Sequence, residues 1–309
     1  MFSFELVDMA RSLLTSVYNR QYTMKFSVAT WNCFGMGQSI IDVITHLRAP
    51  FGKRFLAPEV IEECGDANVL CIQEILSRDS QVFFDGLVRK FFPFAVRDNN
   101  KFGFISMRGS GLGVGTRATQ RANRFLPFKS RGISWDKYAR KGALYVQLEY
   151  GDRLFDIMTV HLQAGKTVAA RAVRAAQLNE LKEWIAAFGS PERPFIVCGD
   201  FNIQGLASER HAGEYRTLTE ALAGFNDLGA ESDLATYHPH PEGNPLAHAF
   251  EEQSGPMRID YIFLKPAEKS APIELSGFRR ILDKPLANFG LGLAAWASDH
   301  YGLKATFEI

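Results

Sequence analysis

Cysteine is scarce in this chain: four in 309 residues, Cys33, Cys64, Cys71 and Cys198, with no Cys-X-X-Cys pair. A disulfide scaffold and a structural zinc site are therefore disfavoured, and the four are expected as buried thiols. Long apolar runs are missing too, and with them any helical segment able to span a bilayer. The opening MFSFELVDMARSLLTSVYNRQYT carries Glu5 and Asp8 where a secretory signal is basic. The expected location is the cytoplasm or a membrane periphery, with export by a route that needs no classical signal left open. Neither sign of charge dominates: 35 Lys and Arg against 34 Asp and Glu give a formal net charge of +1. Nothing global then argues for nucleic acid, and a partner has to be inferred from a local site. No internal repeat, low-complexity tract or linker divides the chain.

What is present is apolar, 46% of the residues, and that suffices for one large core or two small ones. Leu6, Met9, Ala10, Leu13, Leu14 and Val17 recur at helical spacing, so residues 1–22 are expected as an amphipathic helix, packed on the domain or lying at a membrane surface. KFSVATWN predicts a strand that ends at Asn32, and NVLCIQE one that ends at Gln73 and Glu74. ALYVQLEY and RLFDIMTVHLQ read as neighbouring strands joined at Gly151 and Asp152, with His161 near a strand end. A helix is expected over Val168 to Phe188, stopped by Gly189 and Pro191. RPFIVCGDFN, MRIDYIFLK and SDHYGLKATFEI supply further strands, with a helix around Thr217 to Phe225 between the first two. Strands interspersed with helices predict one α/β domain over residues 23–309.

The polar residues of interest stand where apolar strands give out: Asn32, Glu74, His161, Asp200, Asn202, Asp260, Asp299 and His300. Each alone has an ordinary structural use, Asn32 as a turn cap and Asp200 with Asn202 in shaping the GDFN turn. Strand ends on one edge of an α/β sandwich, however, can converge into one pocket. The ordered set WN, QE, VHL, GDFN, RIDY and SDH, from about Phe26 to the C-terminus, resembles the endonuclease/exonuclease/phosphatase superfamily. Pancreatic-type deoxyribonuclease and neutral sphingomyelinases belong to that superfamily. The resemblance implies a four-layered α/β/β/α sandwich of two packed, mostly antiparallel sheets with outer helices. It also implies a divalent-metal phosphoesterase.

The residue types suit that chemistry. Phosphodiester cleavage needs charge on the phosphate oxygens stabilised, a water activated and a leaving oxygen helped away. Glu74 is a hard oxygen ligand suited to Mg²⁺, with Mn²⁺ or Co²⁺ as substitutes, and Asn32 and Asp299 are expected beside the metal or its waters. His300 is the candidate general base, with Asp260 fixing its tautomer. Asn202 would orient the nucleophilic water and His161 would donate to a phosphoryl oxygen. Asp200 would orient the water or assist the leaving group. The remaining histidines, His46, His211, His238, His240 and His248, are expected as surface or loop residues, with His238 and His240 a weak metal pair.

For the substrate, the inositol 5-phosphatase branch is disfavoured because its usual Trp-Asp-Arg run is replaced here by MRIDYIFLK. A basic stretch, Arg117, Arg121, Arg124, Lys129, Arg131, Lys137, Arg140 and Lys141, interleaves Phe125, Phe128 and Trp135, and suits a solvated loop, a phosphate backbone or a lipid surface. Within it DKYARKG, Asp136 to Gly142, is similar to the Asp and Lys segment of neutral sphingomyelinases, as are GSGLGVGTRA upstream and VHLQAG downstream. That resemblance implies Lys141 neutralising a substrate phosphate with Asp136 as its partner. PLANFGLGLAAW, before SDH, reads as a core strand or as a loop dipping Phe289, Leu291, Leu293 and Trp296 into headgroups. The expectation is a Mg²⁺-dependent sphingomyelin phosphodiesterase of the phospholipase C type, acting on a phospholipid or sphingolipid at a membrane surface. A metal-dependent nuclease acting on nucleic acid is the alternative, and a catalytically inactive lipid-binding or partner-binding module is another.

Overall fold

The computed structural model describes residues 24–35, 54–98, 109–208, 213–251, 254–288 and 295–309. The expected 1–22 helix, His46, His211, and Phe289, Leu291 and Leu293 lie outside those residues. Two six-stranded sheets form the centre. One is built from β1 (Lys25–Gly35), β2 (Val69–Ile75), β3 (Phe94–Arg97), β4 (Gly113–Thr116), β11 (Glu274–Ile281) and β12 (Gly302–Glu308), in the order β11-β12-β1-β2-β4-β3. The other holds β5 (Thr119–Pro127), β6 (Gly142–Tyr150), β7 (Arg153–His161), β8 (Phe195–Asp200), β9 (Asn226–Asp227) and β10 (Asp260–Lys265), in the order β5-β6-β7-β8-β10-β9. The helices among the described residues are α1 (Pro58–Gly65), α2 (Arg78–Phe91), α3 (Val168–Phe188), α4 (Gly213–Ala221) and the single turn α5 (Pro245–His248).

The strands read as nearly continuous apolar runs because both faces are covered, and the period of two sorts each run between two cores. Val28, Cys71, Val146, Ile157, Ile196, Ile262 and Leu303 point inward and fill the space between the sheets. Their neighbours Ala29, Trp31, Leu70 and Ile72 point outward and meet Val60, Phe83 and Phe84 of α1 and α2. On the far face Tyr145, Met158, Val160, Val197 and Phe263 meet Leu178 and Leu181 of α3 and Leu218 of α4. Four layers result. The four cysteines are buried and unpaired, as expected.

Each sheet has one parallel pair, β1 with β2 and β7 with β8, and its other pairings are antiparallel. A parallel pair needs a long crossover, which α3 supplies between β7 and β8. It also brings two strand C-termini to the same edge, which is where α/β sheets place their ligands. The registers align Asn32 with Gln73 in one sheet and His161 with Asp200 in the other. Close packing of β7 on β8 depends on Gly199, whose φ is +129° and where a Cβ would stand 2.2 Å from the Val160 carbonyl oxygen.

α3 keeps the expected bounds because Thr167 caps it, accepting from the Ala170 amide, and Gly189 ends it. The helix expected around Thr217 to Phe225 instead spans Gly213–Ala221. Gly224, at φ +85°, turns the chain after it, and Phe225 packs on the core from that turn. Of the two readings of PLANFGLGLAAW, the large apolar side chains at its described ends fit the core one. Leu286 is buried in the core under α1 and α2, and Trp296 is buried beside Phe34, Leu246 and Tyr301, so this tryptophan cannot reach a headgroup.

Candidate active site

Asn32, from the end of β1, joins the two halves. Its Nδ2 donates to Glu74 Oε1 at 3.1 Å in its own sheet and to Asp200 Oδ2 at 3.1 Å in the other. His161 Nε2 lies 3.4 Å from Asp200 Oδ2 and 3.8 Å from Glu74 Oε1. Asp260, aligned with Asp200 by the β8–β10 register, accepts from His300 Nδ1 at 2.9 Å. That bond leaves His300 Nε2 toward the cleft, 4.0 Å from Asp200 Oδ2. The Ser298 hydroxyl donates to the Asn32 carbonyl at 2.7 Å and accepts from the His300 amide, tying the SDH segment to β1. Asp299 Oδ1 lies 3.1 Å from the same hydroxyl. Asn202 donates from its amide to Asp200 Oδ1 and from its side chain to the Leu162 carbonyl. All eight expected strand-end residues are thus brought together, six of them lining a cleft of about 810 Å³.

Backbone conformation contributes to the convergence. Glu74 and Asn202 sit at φ +63° and +54°, a region that non-glycine residues seldom occupy and that is held here by surrounding contacts. Gly111 makes room for Glu74: a Cβ there would stand 3.0 Å from the Glu74 Cα.

DKYARKG folds into the same site. Ser134–Tyr138 is a short 3-10 helix, and Lys141 follows with its side chain only 3% exposed. Lys141 Nζ is 2.9 Å from Asp136 Oδ2, donates to the Leu162 carbonyl at 2.6 Å and lies 3.0 Å from His161 Nε2. An ammonium only donates, so His161 Nε2 accepts and its proton sits on Nδ1. The rest of the basic stretch does not form one patch. Arg117 donates to the Phe91 and Gly65 carbonyls, Arg121 pairs with Glu149 and Arg140 stacks over Phe125, while Phe128 is buried. Trp135, by contrast, is 74% exposed. His238 and His240 stack ring on ring at 6.2 Å outside the site.

Charge crowding sets the protonation pattern. Burial, with Asp299 nearby, pushes the Glu74 carboxyl up to about 7, and burial with Asp260 raises Asp200 to about 6. Burial, Lys141 and His300 hold His161 well below the ordinary histidine range, so it is neutral at pH 7. At His300 burial alone would lower the pKa. Asp260, Asp299 and Asp200 outweigh it and hold His300 well above its ordinary value. The neutral imidazole expected from the sequence is therefore an imidazolium when no cation offsets these carboxylates.

The site fits a divalent cation on its own chemistry. Glu74 Oε2 is buried with no hydrogen-bond partner among the described residues, which is costly unless something positive meets it. Asp200, Asp260 and His300 also have ligand atoms within 4.8 Å of one another, but Asp260 and His300 are engaged with each other. Glu74, with Asn32 beside it, is the better anchor. Linkage gives the sign of a test. A carboxyl raised in the fold binds its proton more tightly folded than unfolded, so Glu74 and Asp200 cost stability as pH rises from the ordinary carboxylate range through about 7. His161 acts oppositely, costing stability as pH falls through the ordinary histidine range. A cation must displace the carboxyl protons at low pH but not at high pH. Thermal melts with and without Mg²⁺ should therefore give a larger gain in Tm at about pH 8 than at about pH 5.5. An equal gain at both would place the ion elsewhere.

Comparison with known proteins gives the family and supports the fold. A model described as the Endonuclease/Exonuclease/phosphatase family matches residues 29–300. Sphingomyelinase C of Leptospira interrogans is 25% identical over 150 residues, covering 47% of this chain and 26% of that protein. The chain spans well under half the length of the sphingomyelinase C relatives it matches. Among solved structures, Staphylococcus aureus beta toxin with bound magnesium ions superposes with a TM-score of 0.68 at 17% identity, covering 91% of this chain and 99% of that one. TDP2 of D. rerio, complexed with a single-strand DNA product, gives 0.67 at 18%, covering 92% and 99%. At those identities the two superpositions establish the fold alone.

Proposed function

The chain belongs to the Endonuclease/Exonuclease/phosphatase family, and from that premise we propose that it is a divalent-metal phosphodiesterase hydrolysing sphingomyelin to ceramide and phosphocholine. One observation carries the lipid reading: Asp136 and Lys141 of DKYARKG, the segment similar to neutral sphingomyelinases, lie inside the site with Lys141 against His161. The similarity to sphingomyelinase C relatives supports it. So does Trp135, exposed one residue from Asp136 and flanked by exposed Lys129, Arg131 and Lys137, a composition that suits a lipid surface.

Glu74, with Asn32 and Asp299, would hold Mg²⁺, which when bound polarises the phosphate and neutralises its charge. His300 receives the proton of the attacking water at Nε2, and Asp260, bonded to Nδ1, holds the ring and balances the imidazolium. Asn202 orients that water, and Asp200 either orients it too or gives a proton to the departing ceramide oxygen. Lys141 stabilises the oxygens of the phosphate, while His161, expected from the sequence as a donor, accepts from Lys141 at Nε2 and so orients that ammonium. The second reading is cleavage of nucleic acid, since TDP2, which shares this fold, was solved with a single-strand DNA product.

Sphingomyelin vesicles and plasmid DNA assayed side by side, with Mg²⁺ and with chelator, separate the readings. Mg²⁺-dependent phosphocholine release is expected, and rapid DNA nicking without it would sink the lipid reading. Lys141→Ala is expected to lower kcat by about a hundredfold, equivalent to about 2 to 3 kcal/mol, for loss of one charge-assisted contact. Asp136→Ala should approach the same loss. Small, independent effects would return both residues to a structural role.

A further inference from the structure

Arg174 belongs to α3 and lines the same cleft, and although its hydrogen bonds go to none of the residues given chemical roles above, it is among the most deeply buried charged side chains of the described residues. All three of its guanidinium nitrogens are engaged. Nε and Nη2 make a two-pronged pair with Glu214 of α4 at 2.9 and 3.0 Å, while Nη1 donates to the carbonyls of Gln163 at 2.8 Å and Gly165 at 2.6 Å. Those two carbonyls bracket Ala164 in the loop that follows β7. The Ala164 amide donates to Asp136 Oδ2 at 2.6 Å, the same oxygen that lies 2.9 Å from Lys141 Nζ. The preceding Leu162 carbonyl takes both Lys141 Nζ and Asn202 Nδ2. An uninterrupted chain of polar contacts therefore runs from the outer helices to His161.

We propose that Arg174 is a positioning residue that, anchored by Glu214, fixes the 162–165 loop so that Asp136 and the Leu162 carbonyl hold Lys141 against His161. The inference rests on the role proposed for Lys141 and needs no particular phosphodiester. A buried guanidinium suits the task because its planar fork satisfies a carboxylate and two carbonyls at once, which an ammonium cannot do. Glu214 offsets the cost of burying that charge and sets the plane of the fork. Gln177 braces the same loop, accepting from the Gln163 amide at 2.9 Å, so loss of Arg174 should loosen the loop without unfolding β7 or α3.

Two readouts test this. Amide hydrogen exchange by NMR needs no substrate: in Arg174→Ala the Ala164 amide is expected to exchange at least about tenfold faster, while Met158 and Val197, in the strands on either side, keep their protection. Unchanged protection at Ala164, or loss at all three, would overturn the proposal. The second is a double-mutant cycle in kcat on bis(p-nitrophenyl) phosphate and on sphingomyelin. Arg174→Ala is expected to cost about tenfold alone and almost nothing in a Lys141→Ala background, with Arg174→Lys restoring little. Equal costs in both backgrounds would overturn it. Sphingomyelin untouched while the chromogenic diester shows the coupling would count against the lipid reading and leave the clamp standing.

Discussion

Replacing His300 by alanine is expected to lower kcat by about 10² to 10⁴-fold at every Mg²⁺ concentration, the scale of removing a positioned general base. The expectation comes from geometry. His300 is the imidazole whose Nδ1 is bonded to a buried carboxylate, Asp260, and whose Nε2 is left toward the cleft. His161 cannot replace it, because its Nε2 already accepts from Lys141 and burial with two cationic neighbours keeps its pKa low. The variant leaves the Asp260 charge buried without its partner, so some loss of Tm is expected as well. Asp260→Asn separates the two effects. It retains a hydrogen-bonding group for the ring but removes the charge that supports the imidazolium, and should lower kcat strongly with less effect on Tm. A His300→Ala protein with more than about a tenth of normal kcat would remove His300 from the mechanism.

Glu74→Gln is expected to lower kcat/KM at about 1 mM Mg²⁺ by a hundredfold or more and to abolish the rise in Tm with the metal. The amide keeps an oxygen for Asn32 Nδ2 but offers no charge where Oε2 is now buried and unpartnered among the described residues. The same replacement should stabilise the metal-free protein at about pH 8. There the wild type carries a buried carboxylate whose pKa burial has raised to about 7, and the amide has no charge to desolvate. Opposite signs for stability and activity are the mark of a functional carboxylate. A metal-free Glu74→Gln protein less stable than the wild type would mean that Glu74 serves the fold instead.

The sandwich was legible where strands are buried on both faces. β1, β2, β7, β8 and β10 announce themselves as apolar runs; parallel pairing brings the polar C-termini of the first four to the site, and the antiparallel pairing of β10 with β8 sets Asp260, at the start of β10, beside Asp200. Of the strands that the sequence does not announce, β4 is buried throughout but only four residues long, and β5 and β11 have few inward side chains. β5, TQRANRFLP, is exposed along most of its length, and β11, ELSGFRRI, buries little besides Ile281, so neither shows an alternation. β5 consequently looked like a basic loop, although its backbone pairs with β6 from Thr119 to Pro127. Asn32, Glu74, His161, Asp200, Asn202, Asp260 and His300 were recognisable as an ordered set, whereas Arg174 was not. At its position an arginine on a helix looks like surface charge, and only the fold of the 162–165 loop turns it inward. The protonation of His300 was also invisible, because it depends on three carboxylates from separate strands and loops.

Turnover of sphingomyelin vesicles in ¹⁸O-labelled water with Mg²⁺, with both products identified by mass spectrometry, tests the central claim most directly. Attack of water on phosphorus with departure of the ceramide oxygen places one heavy oxygen in phosphocholine and none in ceramide. That labelling, lost with chelator and in His300→Ala, is the predicted result. Release of free choline, or intact sphingomyelin beside efficient cleavage of DNA in the same buffer, would contradict it.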